Sequence, residues 1–162
     1  MKKRLAVIMI TVLVLLDQLT KIWAKSYLAD QGPIDIIKGV FSLEFHKNAG
    51  IAFGMFQGKF PIFIVLTILL LAGMTYVFLK LPKEPKYKPL NWCLVFIAAG
   101  AIGNLIDRVI YNYVVDFLYF NLINFPIFNV ADCYVTVTVI LLMFLLLFYY
   151  KEEDLTFFKE KK

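Results

Sequence analysis

The strongest constraint on how this chain folds is an apolar run from Pro61 to Leu79 that contains no charged residue. About 20 apolar residues are needed to cross the hydrocarbon core of a bilayer as an α-helix. Three further runs with few charges have a similar length: residues 5–24, 90–110 and 130–150. The sequence therefore predicts a mainly α, polytopic membrane protein with four transmembrane helices at about 5–24, 61–79, 90–110 and 130–150. Its 61% of apolar residues exceeds what is usual in a soluble domain.

Basic residues are concentrated at one end of the predicted helices. Of the 17 lysines and arginines, 11 fall in three segments that flank apolar runs: 2–4, 80–88 and 151–162. Because Lys and Arg are retained on the cytoplasmic side of a membrane, both termini are expected inside, and residues 25–60 and 111–129 outside. Clustering of this kind accounts for the net charge of +5. We therefore expect no nucleic-acid partner.

The first outer segment predicts a small extracytoplasmic β-sheet. Phe41, Leu43 and Phe45 alternate with polar residues, which is the period of a strand with one covered face. Residues 34–37 are a candidate partner strand for it. A glycine-rich loop is expected to follow, with Gly50, Gly54 and Gly58. Residues 1–162 are interpreted as a single domain.

Polar side chains from three predicted helices and one outer loop converge near the outer membrane surface. Charged groups are costly where water is scarce, so a group of them at one depth is a candidate functional site. Within each helix they are three or four residues apart and share a face. The set comprises Asp17 and Lys21 of the first span; Asn104, Asp107 and Arg108 of the third; Asp116 of the loop; and Asn129 and Asp132 at the start of the fourth.

Two carboxylates held close together in a dry site do not both ionise easily, so one keeps a proton while the other remains a base. Such a pair hydrolyses an amide by general acid and base catalysis. The candidates are Asp107, Asp116 and Asp132, and spacing alone does not select two of them. A zinc protease or a serine triad is disfavoured, because the chain has a single histidine, His46.

Each of these charges also has a structural interpretation. Asp17 and Lys21 would form an ion pair with Lys21 reaching outward, and Arg108 would contact lipid phosphates. Asp107 would pair with Arg108 or Lys21, and Asp132 would be favoured by its helix dipole. A carboxylate-based ion or proton transporter or channel is the alternative function, and a membrane binding module without catalysis is a third. Cys93 and Cys133 are expected to form no disulfide, because they lie near opposite ends of their spans.

Five motifs in this order resemble the bacterial lipoprotein signal peptidases, also called type II signal peptidases. The resemblance covers nearly the whole chain. Its motifs are Asp17, Gln18, Thr20 and Lys21; Asn48, Gly50, Ala52 and Phe53; Gly100, Gly103, Asn104, Asp107 and Arg108; Val115, Asp116 and Phe117; and Phe128, Asn129, Ala131 and Asp132. Ala99 stands where many members of the family have glycine.

The resemblance implies an intramembrane aspartyl endopeptidase that removes the signal peptide from prolipoproteins, cutting before a diacylglyceryl-modified cysteine. It implies that Asp116 and Asp132 are catalytic, and that a strand cradle and an outer cover at 111–129 flank the site. It implies a bacterial cytoplasmic membrane location with the active site at the outer interface, prolipoproteins and membrane lipids as partners, and neither a metal nor an organic cofactor. The residues implied to line or support the site are Asp17, Lys21, Asn48, Gly50, Asn104, Asp107, Arg108 and Asn129.

Overall fold

The computed structural model describes residues 1–50 and 60–158. Its main helices are α1 (Lys3–Tyr27), α2 (Phe60–Lys80), α3 (Lys88–Tyr111) and α4 (Val130–Phe144), and α4 continues as a π-helical turn over Leu145–Tyr149. All four are long and apolar enough to cross a membrane. The four predicted spans are confirmed to within a few residues. The predicted glycine-rich loop, with Ala52, Phe53, Gly54 and Gly58, lies outside the described residues.

A three-stranded antiparallel sheet lies at one end of the helices, in the order β1 (Ile34–Ile37), β2 (Phe41–Asn48) and β3 (Val114–Tyr119). β2 was predicted from the alternation of apolar residues and β1 as its pairing partner, and both are confirmed. β3 was not predicted, since it falls in the stretch assigned to the outer cover. Its first four residues are all buried, so the strand lacks the alternation that marks a half-exposed strand.

Strand register brings polar residues of β2 beside β3. His46 lies opposite Asp116, and Asn48 lies opposite Val114. The turn between β1 and β2 contains Gly39 with a φ of 72°, a conformation that glycine adopts without steric cost. The sheet thereby places Asn48 and Asp116 at the same edge of the helical bundle.

Helix α3 contacts each of the other three main helices, and two glycines permit its closest approaches. A Cβ atom built on Gly100 would lie 2.5 Å from the carbonyl oxygen of Ala131, and one built on Gly103 would lie 2.5 Å from Oδ2 of Asp17. Neither distance is tolerable for a real side chain. Small residues of this kind let helix backbones approach closely in membranes. The two glycines therefore bring α1 and α4 against the polar face of α3.

Apolar clusters fix the two ends of the bundle. Under the sheet, Ala24, Leu28, Val115 and Phe117 are buried together. At the opposite end, the α2–α3 connection packs against the end of α4, where the rings of Tyr87 and Tyr150 stack with centroids 5.9 Å apart. Both cysteines are free, as the sequence predicts.

Candidate active site

The start of α4 positions the Asp132 carboxylate. Asn129 is the N-cap residue, and its side chain accepts a hydrogen bond from the backbone N–H of Asp132 at 3.0 Å. The backbone N–H of Asn129 donates in return to Oδ2 of Asp132 at 3.1 Å. This reciprocal arrangement is a capping box. Oδ1 of Asp132 accepts from the amide of Asn104 at 2.8 Å, so both carboxylate oxygens are held.

Asp116 reaches the same point from β3. Its Oδ1 accepts from the side-chain amide of Asn129 at 2.6 Å, and its Oδ2 accepts from the amide of Asn48 at 2.9 Å. Asn48 in turn accepts from the backbone N–H of Gly50 at 3.0 Å, which fixes the orientation of its amide. The Asn129 side chain thus contacts Asp116 directly and is tied to the turn that holds Asp132. The structure brings these two carboxylates together with three asparagine amides.

Burial perturbs the carboxyl group of Asp116, which is 1% exposed. Loss of water raises the pKa of Asp116 to about 7, and the negative charge of Asp132 adds to the increase. The hydrogen bonds from Asn48 and Asn129 and the positive charge of Lys21 act in the opposite direction. A carboxyl group with a pKa near 7 is protonated in a large fraction of molecules at neutral pH, as a general acid requires.

Lys21 lies beside this pair with its ammonium group buried. It is 2% exposed, and its Nζ lies 2.9 Å from Oδ2 of Asp17 and 3.1 Å from Oδ2 of Asp107. It also donates to Oδ1 of Asn104 at 2.8 Å. The three donors of the ammonium group therefore all have acceptors. The expected ion pair with Asp17 is present, but Lys21 does not reach outward to the membrane surface.

The two carboxylates bound to Lys21 each hold the backbone next to a site aspartate. Oδ1 of Asp17 accepts from the backbone N–H of Ala131 at 2.9 Å, one residue before Asp132. Oδ2 of Asp107 accepts from the backbone N–H of Val115 at 3.0 Å, one residue before Asp116. Asp107 is therefore a partner of Lys21 and of β3. Asp17 and Asp107 act on the geometry of the site through main-chain hydrogen bonds.

Gln18 belongs to this network, although its sequence motif alone did not make it a site residue. Its amide donates to Oδ1 of Asp107 at 3.0 Å and to the carbonyl of Gly103 at 3.2 Å. Its place one residue after Asp17 is the only sequence signal for this role. Arg108 is half-buried, with its guanidinium 5.6 Å from the ring centre of Phe63 and a 3.3 Å hydrogen bond to the carbonyl of Asn104.

His46 is exposed on β2, as expected for a strand residue. Within residues 1–50 and 60–158, no group of three or more His, Cys, Asp or Glu side chains is placed to hold a metal ion. The site as described consists of carboxylates, asparagine amides, one buried lysine and one arginine. Chemically, it is an acid and a base held by neutral amide donors.

The raised pKa of Asp116 predicts a pH-dependent stability. The folded protein retains this proton between pH 3.8 and about 7, whereas the unfolded chain has released it, so folding becomes less favourable as pH rises through this window. The cost above pH 7 is roughly 4 kcal/mol. Asp116→Asn removes this titration. We therefore expect its Tm relative to the wild type to be higher at pH 8 than at pH 5, measured by thermal unfolding in detergent. A difference in Tm that does not change with pH would contradict the assignment.

A sequence model of the family described as "Signal peptidase (SPase) II" matches residues 9–148. The chain is 41% identical over 130 residues to a lipoprotein signal peptidase of Clostridium novyi, covering 78% of this chain and 86% of the relative. It is 44% identical over 137 residues to a lipoprotein signal peptidase of Caldanaerobacter subterraneus subsp. tengcongensis, covering 84% and 91% respectively.

Two solved structures of a bacterial membrane enzyme have the same fold. One superimposes with a TM-score of 0.80 at 32% sequence identity and covers 99% of this chain and 94% of its own. The other superimposes with a TM-score of 0.79 at 32% identity and covers 91% and 96% respectively. The similarity thus extends over nearly the whole chain.

Proposed function

Because this chain belongs to the signal peptidase II family, we propose that Asp116 and Asp132 form its catalytic pair. The observation that carries this proposal is that both carboxylates are held through one residue, Asn129. Asp107 also lies near, but its oxygens are taken by Lys21, Gln18 and the backbone of β3. The oxygens of Asp116 and Asp132 instead accept hydrogen bonds from neutral amide groups, and three of these four bonds come from asparagine side chains.

The protein is a multi-pass membrane endopeptidase of the aspartic type that removes signal peptides from prolipoproteins. The similarities favour this activity over that of an ion or proton transporter. We propose that cleavage occurs immediately before a lipid-modified cysteine. A substrate with an apolar signal helix and a lipid reaches the site from within the bilayer, and the pair lies at the end of the spans where such a helix emerges.

In the proposed reaction, Asp132 is the base and Asp116 is the acid. Asp132 takes a proton from water while the water oxygen bonds to the scissile carbonyl carbon, and the proton of Asp116 moves to the carbonyl oxygen. The tetrahedral intermediate then collapses: the C–N bond breaks, the leaving nitrogen receives the proton held by Asp132, and Asp116 regains its own. The raised pKa of Asp116 supports its assignment as the group protonated at neutral pH.

Neutral and cationic donors around the pair are proposed to hold the substrate. Asn48, Asn104 and Asn129 have amides directed at the two carboxylates. Arg108 presents a half-buried positive charge beside them. Donors fixed in this way position a peptide carbonyl before the reaction begins.

A cleavage assay with purified protein tests the proposed function. A diacylglyceryl-modified precursor should yield a product shorter by the signal peptide, and a chelator should not stop the reaction. The matched control is the same precursor with serine in place of the modified cysteine, which should remain uncut. Failure to process the lipidated precursor under conditions that keep the protein folded would contradict the proposal.

We also propose that residues 1–162 work as a single domain in the cytoplasmic membrane, with both termini inside. The hydrogen bond between Asp17 of the first span and Ala131 of the fourth supports a single unit. The basic residues at the end of the bundle opposite the sheet support the orientation.

Cysteine labelling tests this topology. In a chain with alanine at positions 93 and 133, a membrane-impermeant thiol reagent applied to intact cells should modify Gln31→Cys and leave Glu84→Cys unmodified. Both positions are exposed in the folded protein, so a difference reports the side of the membrane. Labelling of Glu84→Cys alone would invert the orientation.

A further inference from the structure

A cleft opens at the end of the bundle opposite the carboxylate pair. Its volume is about 70 Å³, it is partly open to the surroundings, and it lies where α1, α2 and α3 meet. Its apolar wall includes Phe78, Leu81 and Pro82. Its polar lining comes from Lys3 of α1, Lys83 of the α2–α3 connection and Asn91 of α3. No part of the catalytic network described above reaches this cleft.

The two lysines of the cleft carry charges that the described part of the chain does not neutralise. Within residues 1–50 and 60–158, neither Lys3 nor Lys83 lies within 4.0 Å of a carboxylate. Lys86, only three residues from Lys83, is instead paired with Asp154 at 2.6 Å. The cleft therefore presents two cations from different segments, available to one anionic group between them.

Two neighbouring features favour an anion at the same place. The first turn of α1 has no acidic residue, and its N-cap residue Lys2 makes no side-chain capping bond, so the positive end of the helix dipole is not compensated there. Asn91 is 4% exposed, and its amide donates to the carbonyl of Tyr87 at 2.8 Å. Asn91 thus adds a polar amide to the lining of the cleft.

The surroundings of the cleft indicate that its occupant also has apolar chains. None of the residues in the most apolar window of α2 is fully buried by the protein, so the faces of this helix that point away from α3 are exposed along its length. The cleft lies at the end of that surface, next to Phe78 and Leu79. We propose that it binds an anionic phospholipid, with the phosphate between Lys3 and Lys83 and the acyl chains along α2. Basic pockets between spans favour such headgroups.

Native mass spectrometry of the full chain in neutral detergent measures this binding. Phosphatidylglycerol should bind at one molecule per chain and more tightly than phosphatidylcholine with the same acyl chains. The double variant Lys3→Gln/Lys83→Gln should weaken phosphatidylglycerol binding roughly 30-fold. Each lysine near an anionic headgroup strengthens binding by electrostatic attraction, and the two contributions to the affinity are similar. Lys88→Gln removes an exposed charge at the same end of the bundle, outside the cleft, and should leave the affinity within about two-fold.

Three results would overturn the proposal: equal affinity for the two lipids, an equal loss in Lys88→Gln, or full displacement of phosphatidylglycerol by millimolar inorganic phosphate. The last would indicate a site for a free anion. All variants are assayed in parallel for precursor cleavage, which should not change, because the cleft and the carboxylate pair lie at opposite ends of the bundle. A variant that loses the preference for phosphatidylglycerol but still cleaves the precursor bears only on the lipid site. A variant that keeps the preference but no longer cleaves bears only on the proposed peptidase chemistry.

Discussion

Asp116→Asn and Asp132→Asn are each expected to lower the rate of precursor cleavage at least about a thousand-fold. An amide neither accepts the proton of the attacking water nor supplies one to the carbonyl oxygen. Since the pair acts as a unit, the double variant should be no slower than either single variant. The measurement is single-turnover cleavage of a diacylglyceryl-modified precursor in detergent. Asparagine keeps the size of the side chain, so each variant should still fold and insert.

Two controls separate chemistry from structure in that experiment. Asp35→Asn removes an exposed carboxylate of β1 and should cleave like the wild type. Asp107→Asn removes a partner of Lys21 and should retain measurable activity. Turnover like that of the wild type in either pair variant would refute the catalytic assignment. A loss in Asp107→Asn as deep as in Asp116→Asn would reopen the choice between these two aspartates.

Lys21→Met is expected to lower the free energy of unfolding by about 3–5 kcal/mol. The variant leaves the buried carboxylates of Asp17 and Asp107 without a counter-charge, and it removes a donor from Asn104. Uncompensated buried charge is among the most destabilising changes in a protein. Unfolding in mixed micelles with increasing SDS measures the change.

Lys25→Met is the matched control for that variant, one turn further along α1. Lys25 is exposed and contacts the ring of Tyr111 at 4.0 Å, so its loss should cost about 1 kcal/mol at most. Adding Asp17→Asn to Lys21→Met should restore part of the lost stability, because it removes one of the two buried carboxylates that have lost their counter-charge. A change below about 1 kcal/mol in Lys21→Met would show that the buried triad does not hold the fold together.

The helices could be predicted from the sequence because an apolar run of sufficient length has few alternatives in a membrane. β2 could be predicted equally well, since Phe41, Leu43 and Phe45 alternate with polar residues. β3 was not, because Val114 to Phe117 are buried on both faces and read as one apolar stretch. Pairing of β3 with β2 depends on contacts between segments that are distant in the sequence, and such contacts cannot be predicted from a single sequence.

The residues that make up the site could also be predicted from the sequence, but the role of each residue could not. Helical spacing places Asp17 and Lys21 on one face, yet only the fold shows that Lys21 also binds Asp107. Of the two interpretations of Lys21, the one in which it reaches outward does not hold, since Asn104 and Asp107 provide buried acceptors for it. Choosing Asp116 over Asp107 required the family resemblance. The role of Gln18 follows from a hydrogen bond to Asp107 across 89 residues of sequence.

The pairing of Asp17 with Lys21 also bears on how the chain enters the membrane during synthesis. Helix α1 is made before α3 and α4, so the partners Asn104 of Lys21 and Ala131 of Asp17 follow 83 and 114 residues later. A lone charge in the first span would oppose insertion. These two lie one turn apart and neutralise each other within the helix, so the apolar part of α1 over residues 5–24 carries no net charge before α3 and α4 are made. The contact that later holds the active site together thus first allows its helix into the membrane.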